Sequence, residues 1–352
     1  MQHSRAFVSP LPPEDLAHVL SHTRELWEEV RDGTIFITGG TGFFGMWLLE
    51  TFANANETLN LNARAVALTR DPGAFVAKAP HLANRGDLEL VAGDVRDFAF
   101  PSGSFPFVIH AGTTSSAPVE PLEMYETIVD GTRRVLELAV ARATRKLLFV
   151  SSGAVYGRQP PELTHVSEDY NGAPDFREAG SAYGEGKRVA EWLCCLAGRQ
   201  HDFGTKIARC FAFVGPHLPL DAHFAIGNFI RDAMRGGPIR VGGDGTPYRS
   251  YLYAADLAVW LWTLLLRGSN QRAYNLGSEA AMPIAELARQ VGQSVSPPVS
   301  ITVATGSVVG RGAERYIPST ERARNELGLR EIIPLSEGIR RTISWHQTQT
   351  LN

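Results

Sequence analysis

One stretch constrains this chain more than any other: the apolar run Thr34–Thr38, followed at once by Gly39-Gly40-Thr41-Gly42-Phe43-Phe44-Gly45. A β-rich pentapeptide that passes through glycines into a helical pattern reads as strand, tight turn, helix. Gly39, Gly42 and Gly45 have the spacing GxxGxxG. In such a loop the first glycine permits the turn, the second lets backbone approach a pyrophosphate, and the third lets helix and strand pack closely. The helix N-terminus then offers N–H donors and positive potential to a phosphate. A tight turn that binds nothing fits the triplet alone. Its place on the first strand of a repeating strand–helix pattern points to a dinucleotide cradle built from Gly39, Thr41, Gly42, Phe43, Phe44 and Gly45.

The repeating pattern follows. Strands are expected over 63–68, 88–91, 107–110, 146–150 and 205–211, with helices over 46–52, 121–143 and 182–200. This alternation predicts an α/β fold, a Rossmann-type doubly wound and mostly parallel sheet. Residues 13–30 read as one earlier helix, with Pro13 in its first turn and Leu16, Val19, Leu20, Leu26, Trp27 and Val30 at helical spacing. It is expected to brace the domain or to form a dimer contact. Beyond residue 212 the rhythm loosens into a loop at 217–223, a helix at 225–234, a strand at 239–241 and a mixed segment at 252–266. The organisation expected is a helical extension at 1–32, a dinucleotide-binding domain at 33–212 that carries the catalytic residues, and a smaller C-terminal substrate-binding lobe at 213–352, interleaved with the sheet.

Composition removes several classes of function. With 34 Lys+Arg against 37 Asp+Glu, the formal charge of −3 over 352 residues gives no global pull toward nucleic acid or an anionic membrane. Cys194, Cys195 and Cys210 cannot frame a disulfide scaffold and have no zinc-ligand spacing. The first residues lack a signal-peptide core, and the longest apolar stretch, near 254–266, contains Asp256 and is too short to span a bilayer. The expectation is a cytoplasmic enzyme with no metal.

Cofactor contacts beyond the loop are expected at strand ends. Where a dinucleotide-binding fold often places an acid for the adenosine ribose, this chain has Thr69-Arg70-Asp71. A guanidinium at Arg70 suits a 2′-phosphate and tilts the reading toward NADP(H), whereas a register shift of one residue would restore an acid through Asp71. Asp94 and Val95 follow the third strand, and Ala111-Gly112-Thr113 follow His110 on the fourth. His110 itself has two readings, a general base or a structural side chain.

Tyr183 and Lys187 stand four apart on a predicted helix and so share a face. A lysine there is expected to lower the tyrosine pKa toward a useful acid/base range and to reach a nicotinamide ribose. Ser152 ends the fifth strand, at the carboxyl edge where such folds bind ligands. ITGGTGFFG, VSSGAVYG, YGEGK and RSYLYAADLA, in that order, resemble the extended short-chain dehydrogenase/reductase family, and within it the nucleotide-sugar epimerase/dehydratase group, over roughly residues 34–330. The resemblance implies Tyr183 as acid/base, Lys187 as its activator and ribose contact, and Ser152 as the hydroxyl that orients substrate. It implies NAD(P) as cofactor, a nucleotide-diphosphate sugar as substrate, Arg249 on the diphosphate and Asn228 as a second nucleotide contact. It also implies a homodimer paired through helices 121–143 and 182–200.

Some positions depart from the family pattern. Dehydratases of the group carry Asp-Glu after the catalytic Ser/Thr, and related decarboxylases use the glutamate; here these positions are Gly153 and Ala154. Ala212 stands where an asparagine is frequent. C4 epimerisation needs only Ser152, Tyr183 and Lys187, and is the first reading. An NADPH-dependent 4-keto-6-deoxy nucleotide-sugar reductase is second, a 4,6-dehydratase (with Glu185 as a substitute acid) third, and a dinucleotide-binding sensor or scaffold is the non-enzymatic alternative. His217, Asp221 and His223 form a further candidate cluster, for substrate, for a metal, or for loop structure.

Overall fold

A computed structural model describes residues 7–112, 119–222, 224–304 and 314–350. The strands Thr34–Thr38 (β1), Arg64–Thr69 (β2), Leu88–Ala92 (β3), Phe107–His110 (β4), Lys146–Ser152 (β5) and Gly204–Cys210 (β6) form a parallel sheet. After the short strands Phe213–Val214 (β7), Ile239–Val241 (β8), Tyr248–Arg249 (β9) and Leu252–Tyr253 (β10), the strand Arg272–Leu276 (β11) joins it. The order is β11-β6-β5-β4-β1-β2-β3, all parallel. Strands β1, β4 and β5 are buried almost throughout, as expected when helices cover both faces of a parallel sheet. Successive residues serve opposite faces: Ile35 and Ile37 enter one core and Phe36 the other.

The helices are Pro13–Thr23 (α1), Phe43–Leu59 (α2), Pro72–Lys78 (α3), the single turn Pro80–Ala83 (α4), Pro121–Ala141 (α5), Ala182–Gln200 (α6), Ala225–Met234 (α7), Ala254–Arg267 (α8), Ile284–Gln293 (α9), Glu321–Leu327 (α10) and Leu335–Thr350 (α11). The core on one face takes residues from α2 and α8, the other from α5 and α6. Three short strands complete the fold: Met282–Pro283 (β12), Ile301–Val303 (β13) and Arg315–Tyr316 (β14), with β12 and β14 flanking β9. Strand order reverses between β1 and β4, so the crevice beyond their carboxyl ends is where such sheets bind ligands. No helix among the described residues is long and apolar enough to cross a membrane.

The segment expected as one helix over 13–30 is an α-helix only to Thr23, then a 3₁₀ helix over Arg24–Val30. Thr23 spends its hydroxyl on the Val19 carbonyl and accepts from Trp27 Nε1 at 3.0 Å, which seats Trp27 on Trp262 with ring centroids 4.6 Å apart. This segment is clasped by the far end of the chain. Arg341 donates to the fully buried Asp15 at 2.6 Å, Tyr253 donates to the other Asp15 oxygen at 2.6 Å, and Trp345 Nε1 donates to the Pro10 carbonyl at 2.9 Å.

Removing one partner of a buried ion pair leaves an uncompensated charge. Arg341→Met should therefore lower the unfolding free energy by about 3 kcal/mol in urea denaturation; a loss under about 0.5 kcal/mol would show that the clasp does not hold the two ends together.

Candidate active site

The glycine loop is shaped by contacts that allow no side chain at two of its three key positions. Gly39 has φ +71°, and a Cβ there would lie 2.5 Å from the Ala111 carbonyl oxygen. A Cβ on Gly45 would lie 2.3 Å from the Gly39 oxygen. Gly42 differs: it is exposed, and a Cβ would meet only the Gly39 oxygen at 3.5 Å, an ordinary contact. The fold does not require glycine at 42, whereas a ligand lying against the backbone would. Gly42 is the N-cap of α2, with no side-chain cap and no acidic residue in the first turn, so the helix end keeps its positive potential. Half-buried Phe44 packs edge-on to Phe213 at 5.5 Å, and Phe43 edge-on to Phe44 at 5.6 Å. Lys78 donates to the Thr41 carbonyl at 3.0 Å, a neighbour the sequence reading missed.

The other residues expected on the cofactor lie at the ends of the neighbouring strands. Thr69 is the last residue of β2 and is buried; Arg70 beyond it is exposed. The Asp71 carboxylate, two residues past the end of β2, caps α3 by accepting from Ala74 N–H at 2.8 Å. Asp94 is paired with Arg96 at 2.8 Å, which together with the charge of Arg70 holds its carboxyl below the usual range. Val95 is half-buried, its methyls 2.8 Å from where a Cβ on Gly131 would stand. Ala111 N–H donates to the Thr38 carbonyl at 3.2 Å, and Gly112 N–H to the Thr38 hydroxyl at 3.0 Å. Thr113 lies outside the described residues.

His110 is structural in this arrangement. Thr132 donates its hydroxyl to Ile128 O and can therefore only accept from His110 Nε2–H, at 3.1 Å. Nδ1 then accepts from the Thr38 hydroxyl at 2.7 Å. Both ring nitrogens are used, and burial pushes the pKa down to about 3.

Ser152, Tyr183 and Lys187 come together at the carboxyl end of β5. Ser152 is 7% exposed, and its Oγ accepts from Ala154 N–H at 3.1 Å. Lys187, 2% exposed, donates to the Val150 carbonyl at 2.7 Å, and its Nζ lies 5.8 Å from the Tyr183 ring centre. The expected effect of the lysine on the tyrosine is corrected here. Burial raises Tyr183 to about 12, the Ser152 hydrogen bond works against that rise, and Lys187 is itself pushed down to about 8 by burial. Spacing of four brings the two side chains to one face, and desolvation sets the direction of each shift.

A polar network stands behind these residues. Ser151 donates to Glu191 at 2.6 Å, Glu191 holds Arg209 in a fork at 2.7–3.2 Å, and Arg209 donates to Tyr156, which donates to Asn275. Glu185 points elsewhere, 3.9 Å from Arg188.

Two further residues are expected on substrate, Asn228 and Arg249. Asn228 and Phe229 line a cavity of about 270 Å³ with Arg240, Val241 and Pro247, and Arg231 donates to the Asn228 side-chain Oδ1 at 2.9 Å. Arg249, paired in register with Tyr316, donates to Glu314 at 2.8 Å. Tyr316 packs at a tilt of 37° against Phe211, ring centres 4.6 Å apart, with its hydroxyl 3.5 Å from Ser152 Oγ. The sequence reading missed it, and its two-residue strand has no periodicity that could have pointed to it. Of the candidate cluster His217, Asp221 and His223, His217 is buried 2.8 Å from Glu50, Asp221 is exposed beside Arg231, and His223 lies outside the described residues. The three cysteines are free thiols.

The model of the NAD dependent epimerase/dehydratase family matches residues 35–277. The chain is 32% identical over 317 residues to UDP-glucuronic acid decarboxylase 5 of Arabidopsis thaliana, covering 87% of this chain and 86% of that protein. It superposes on a UDP-N-acetylglucosamine 4-epimerase from Methanobrevibacter ruminantium M1 with a TM-score of 0.77 at 18% identity, over 91% and 99% of the two chains. A dTDP-glucose 4,6-dehydratase from Bacillus anthracis str. Ames, solved in complex with NAD, gives a TM-score of 0.72 at 18% identity, over 90% and 97%. The family match spans both the glycine loop and the Ser152–Tyr183–Lys187 group, and the chain belongs to the NAD dependent epimerase/dehydratase family.

Proposed function

We propose that this chain is a nucleotide-sugar C4 epimerase that holds its dinucleotide through the whole reaction cycle. The observation that carries the reading is the makeup of the site: Ser152, Tyr183 and Lys187 are brought together while the two positions after Ser152 are Gly153 and Ala154, which carry no proton. The bound nicotinamide would accept a hydride from the sugar C4 and return it to the opposite face of the keto intermediate. The chain's own residues handle the rest. Tyr183 takes the C4 hydroxyl proton and gives it back, Ser152 hydrogen-bonds the same oxygen, and Lys187 contacts the ribose. Gly39, Gly42 and Gly45 fit the pyrophosphate. Asn228 and the cavity beside it fit the nucleotide base, and Arg249 exchanges Glu314 for the sugar diphosphate, where its planar fork is matched by charge. The decarboxylase relatives favour a uridine nucleotide. Their reaction itself is disfavoured, because Ala154 stands where the resemblance places the decarboxylase glutamate.

A second reading, an NADPH-dependent reductase of a keto sugar nucleotide, is favoured by exposed Arg70 beside Thr69 at the ribose end of β2. Helices α5 and α6 expose Leu122, Val140 and Trp192, the last 62% exposed, which supports the homodimer implied by the family.

Lys187 carries a cost that fits a functional role. Its folded pKa near 8 lies below the unfolded 10.5, so the unfolded chain binds the proton more tightly. The penalty, about 3 kcal/mol from 1.36 kcal/mol per pKa unit, is full below pH 8 and vanishes as pH rises past 10.5.

Four outcomes are expected. Purified protein should carry NAD(H) and interconvert C4 epimers of a UDP-sugar with no added coenzyme; consumption of free NADPH would favour the reductase, and CO₂ from UDP-glucuronate would overturn both. Tyr183→Phe should abolish turnover and leave the bound dinucleotide in place, as measured by coenzyme content. Lys187→Met should lose activity yet gain about 1–3 kcal/mol near pH 7, the gain shrinking between pH 8 and 10.5; a variant less stable at every pH would contradict the burial argument. Light scattering should give twice the 38.4 kDa chain mass, and Trp192→Glu should reduce it to one chain.

A further inference from the structure

The glycine loop is held from a side that its own residues do not reveal. The peptide between Thr41 and Gly42 is fixed at both ends: the Gly42 N–H donates to the Gly39 carbonyl at 3.2 Å, and the Thr41 carbonyl accepts from Lys78 Nζ at 3.0 Å. Glycine at 42 offers this peptide little resistance to flipping, because glycine takes positive and negative φ about equally. A flip would exchange an N–H for a carbonyl oxygen within a loop that gathers N–H groups around an anion, and the carbonyl dipole there repels phosphate. The bond from Lys78 opposes that exchange. Among the described residues no carboxylate pairs with Lys78.

Lys78 is placed in turn by the two ends of the chain. It is the last residue of α3, whose 7 residues make about two turns. A helix this short is not stable by itself and takes its position from what it packs on. The Lys78 carbonyl accepts from the Val8 N–H at 2.8 Å. The segment that supplies this donor, residues 7–11, is tied on three further sides. The Leu11 N–H donates to the buried carboxylate of Glu50 on α2 at 2.6 Å, the Ser9 N–H to Gln349 Oε1 of α11 at 2.8 Å, and Trp345 Nε1 of α11 to the Pro10 carbonyl at 2.9 Å. Pro10, Pro12 and Pro13 stiffen the segment and lower the entropy lost in holding it extended. It therefore joins α3, which carries Lys78, to α2, which begins at the glycine loop.

We propose that residues 7–11 are a positioning strap for the dinucleotide: they fix Lys78, and Lys78 fixes the Thr41 carbonyl, so that the glycine loop keeps the form that receives phosphate. Lys78 is the positioning residue of this chain of contacts. The inference rests on the dinucleotide binding of the proposed function and is independent of the sugar reaction that follows, and its test reads dinucleotide release and not a sugar product.

The purified holoenzyme is chased with isotopically labelled NAD, and the exchange of bound for labelled dinucleotide gives the release rate. Lys78→Met keeps the apolar stem and removes the donor, and should speed release about tenfold, the scale of one hydrogen bond from a charged group. Val8→Pro removes only the N–H that holds the Lys78 carbonyl, and should speed release about threefold. In a Lys78→Met background Val8→Pro should add nothing, because the strap acts through that side chain. Should Val8→Pro fail to fold, deletion of residues 1–8 removes the same donor and should behave alike. Release that Lys78→Met leaves unchanged, or that the strap variant speeds equally with and without Lys78, overturns the proposal. So does a lower melting temperature with release unmoved, which would make the strap a stabilising brace alone. If the protein is purified without coenzyme, the Kd for NADH by fluorescence titration is read with the same factors; a wild-type chain that binds no dinucleotide would sink the dinucleotide reading itself and the strap with it. If a sugar is turned over, excess NAD should restore the kcat of Lys78→Met at an unchanged KM for the sugar, and a kcat that excess NAD does not restore overturns the proposal.

Discussion

The spacing between α6 and the sheet rests on one enclosed ion pair. Glu191 and Arg209 meet at 2.7 Å with side chains 9% and 17% exposed, and each is tied further: Glu191 accepts from Ser151 of β5, and Arg209 donates to Tyr156. Glu191 lies one turn beyond Lys187 and two beyond Tyr183 on the same helix, while Ser151 is the neighbour of Ser152. The pair therefore sets how near the proton-transfer group stands to the orienting hydroxyl. Buried pairs of this kind add little net stability, but breaking one is expensive. Here the return for that expense is position.

Burial acts twice in this site. It excludes water from the reacting groups, and it raises Tyr183 while depressing Lys187. Apart from these opposed shifts, the hydrogen bond from Ser152 is what favours the ionised phenol. The same logic explains the silence of His110, whose two nitrogens are both committed to threonine hydroxyls before any ligand arrives.

What was legible in the sequence was what depends on neighbours in the chain. The glycine loop was readable because strand, turn and helix are adjacent and the steric demand falls on single residues, Gly39 and Gly45. The long helices α5 and α6 were readable from periodicity to within two residues. Less legible was anything set by distant contact. Strand β11 reads RAYNL, without alternation, and earns its place by pairing with β6. The turn from α-helix to 3₁₀ at Arg24 follows the seating of Trp27 on Trp262, 235 residues away in the chain. Tyr316 reaches Ser152 across 164 residues. The lysine's effect on Tyr183 was misjudged because spacing conveys which side chains meet and not how dry their surroundings are.

The account turns on a hydride that leaves the sugar C4 and returns to the same carbon within one binding event. A UDP-sugar deuterated at C4, incubated with the purified protein in ordinary water without added coenzyme, tests this most directly. The account predicts the C4 epimer with its deuterium retained at C4 and none in the solvent or in free NAD(P)H. Deuterium carried off in free reduced coenzyme, or lost to water, would contradict it.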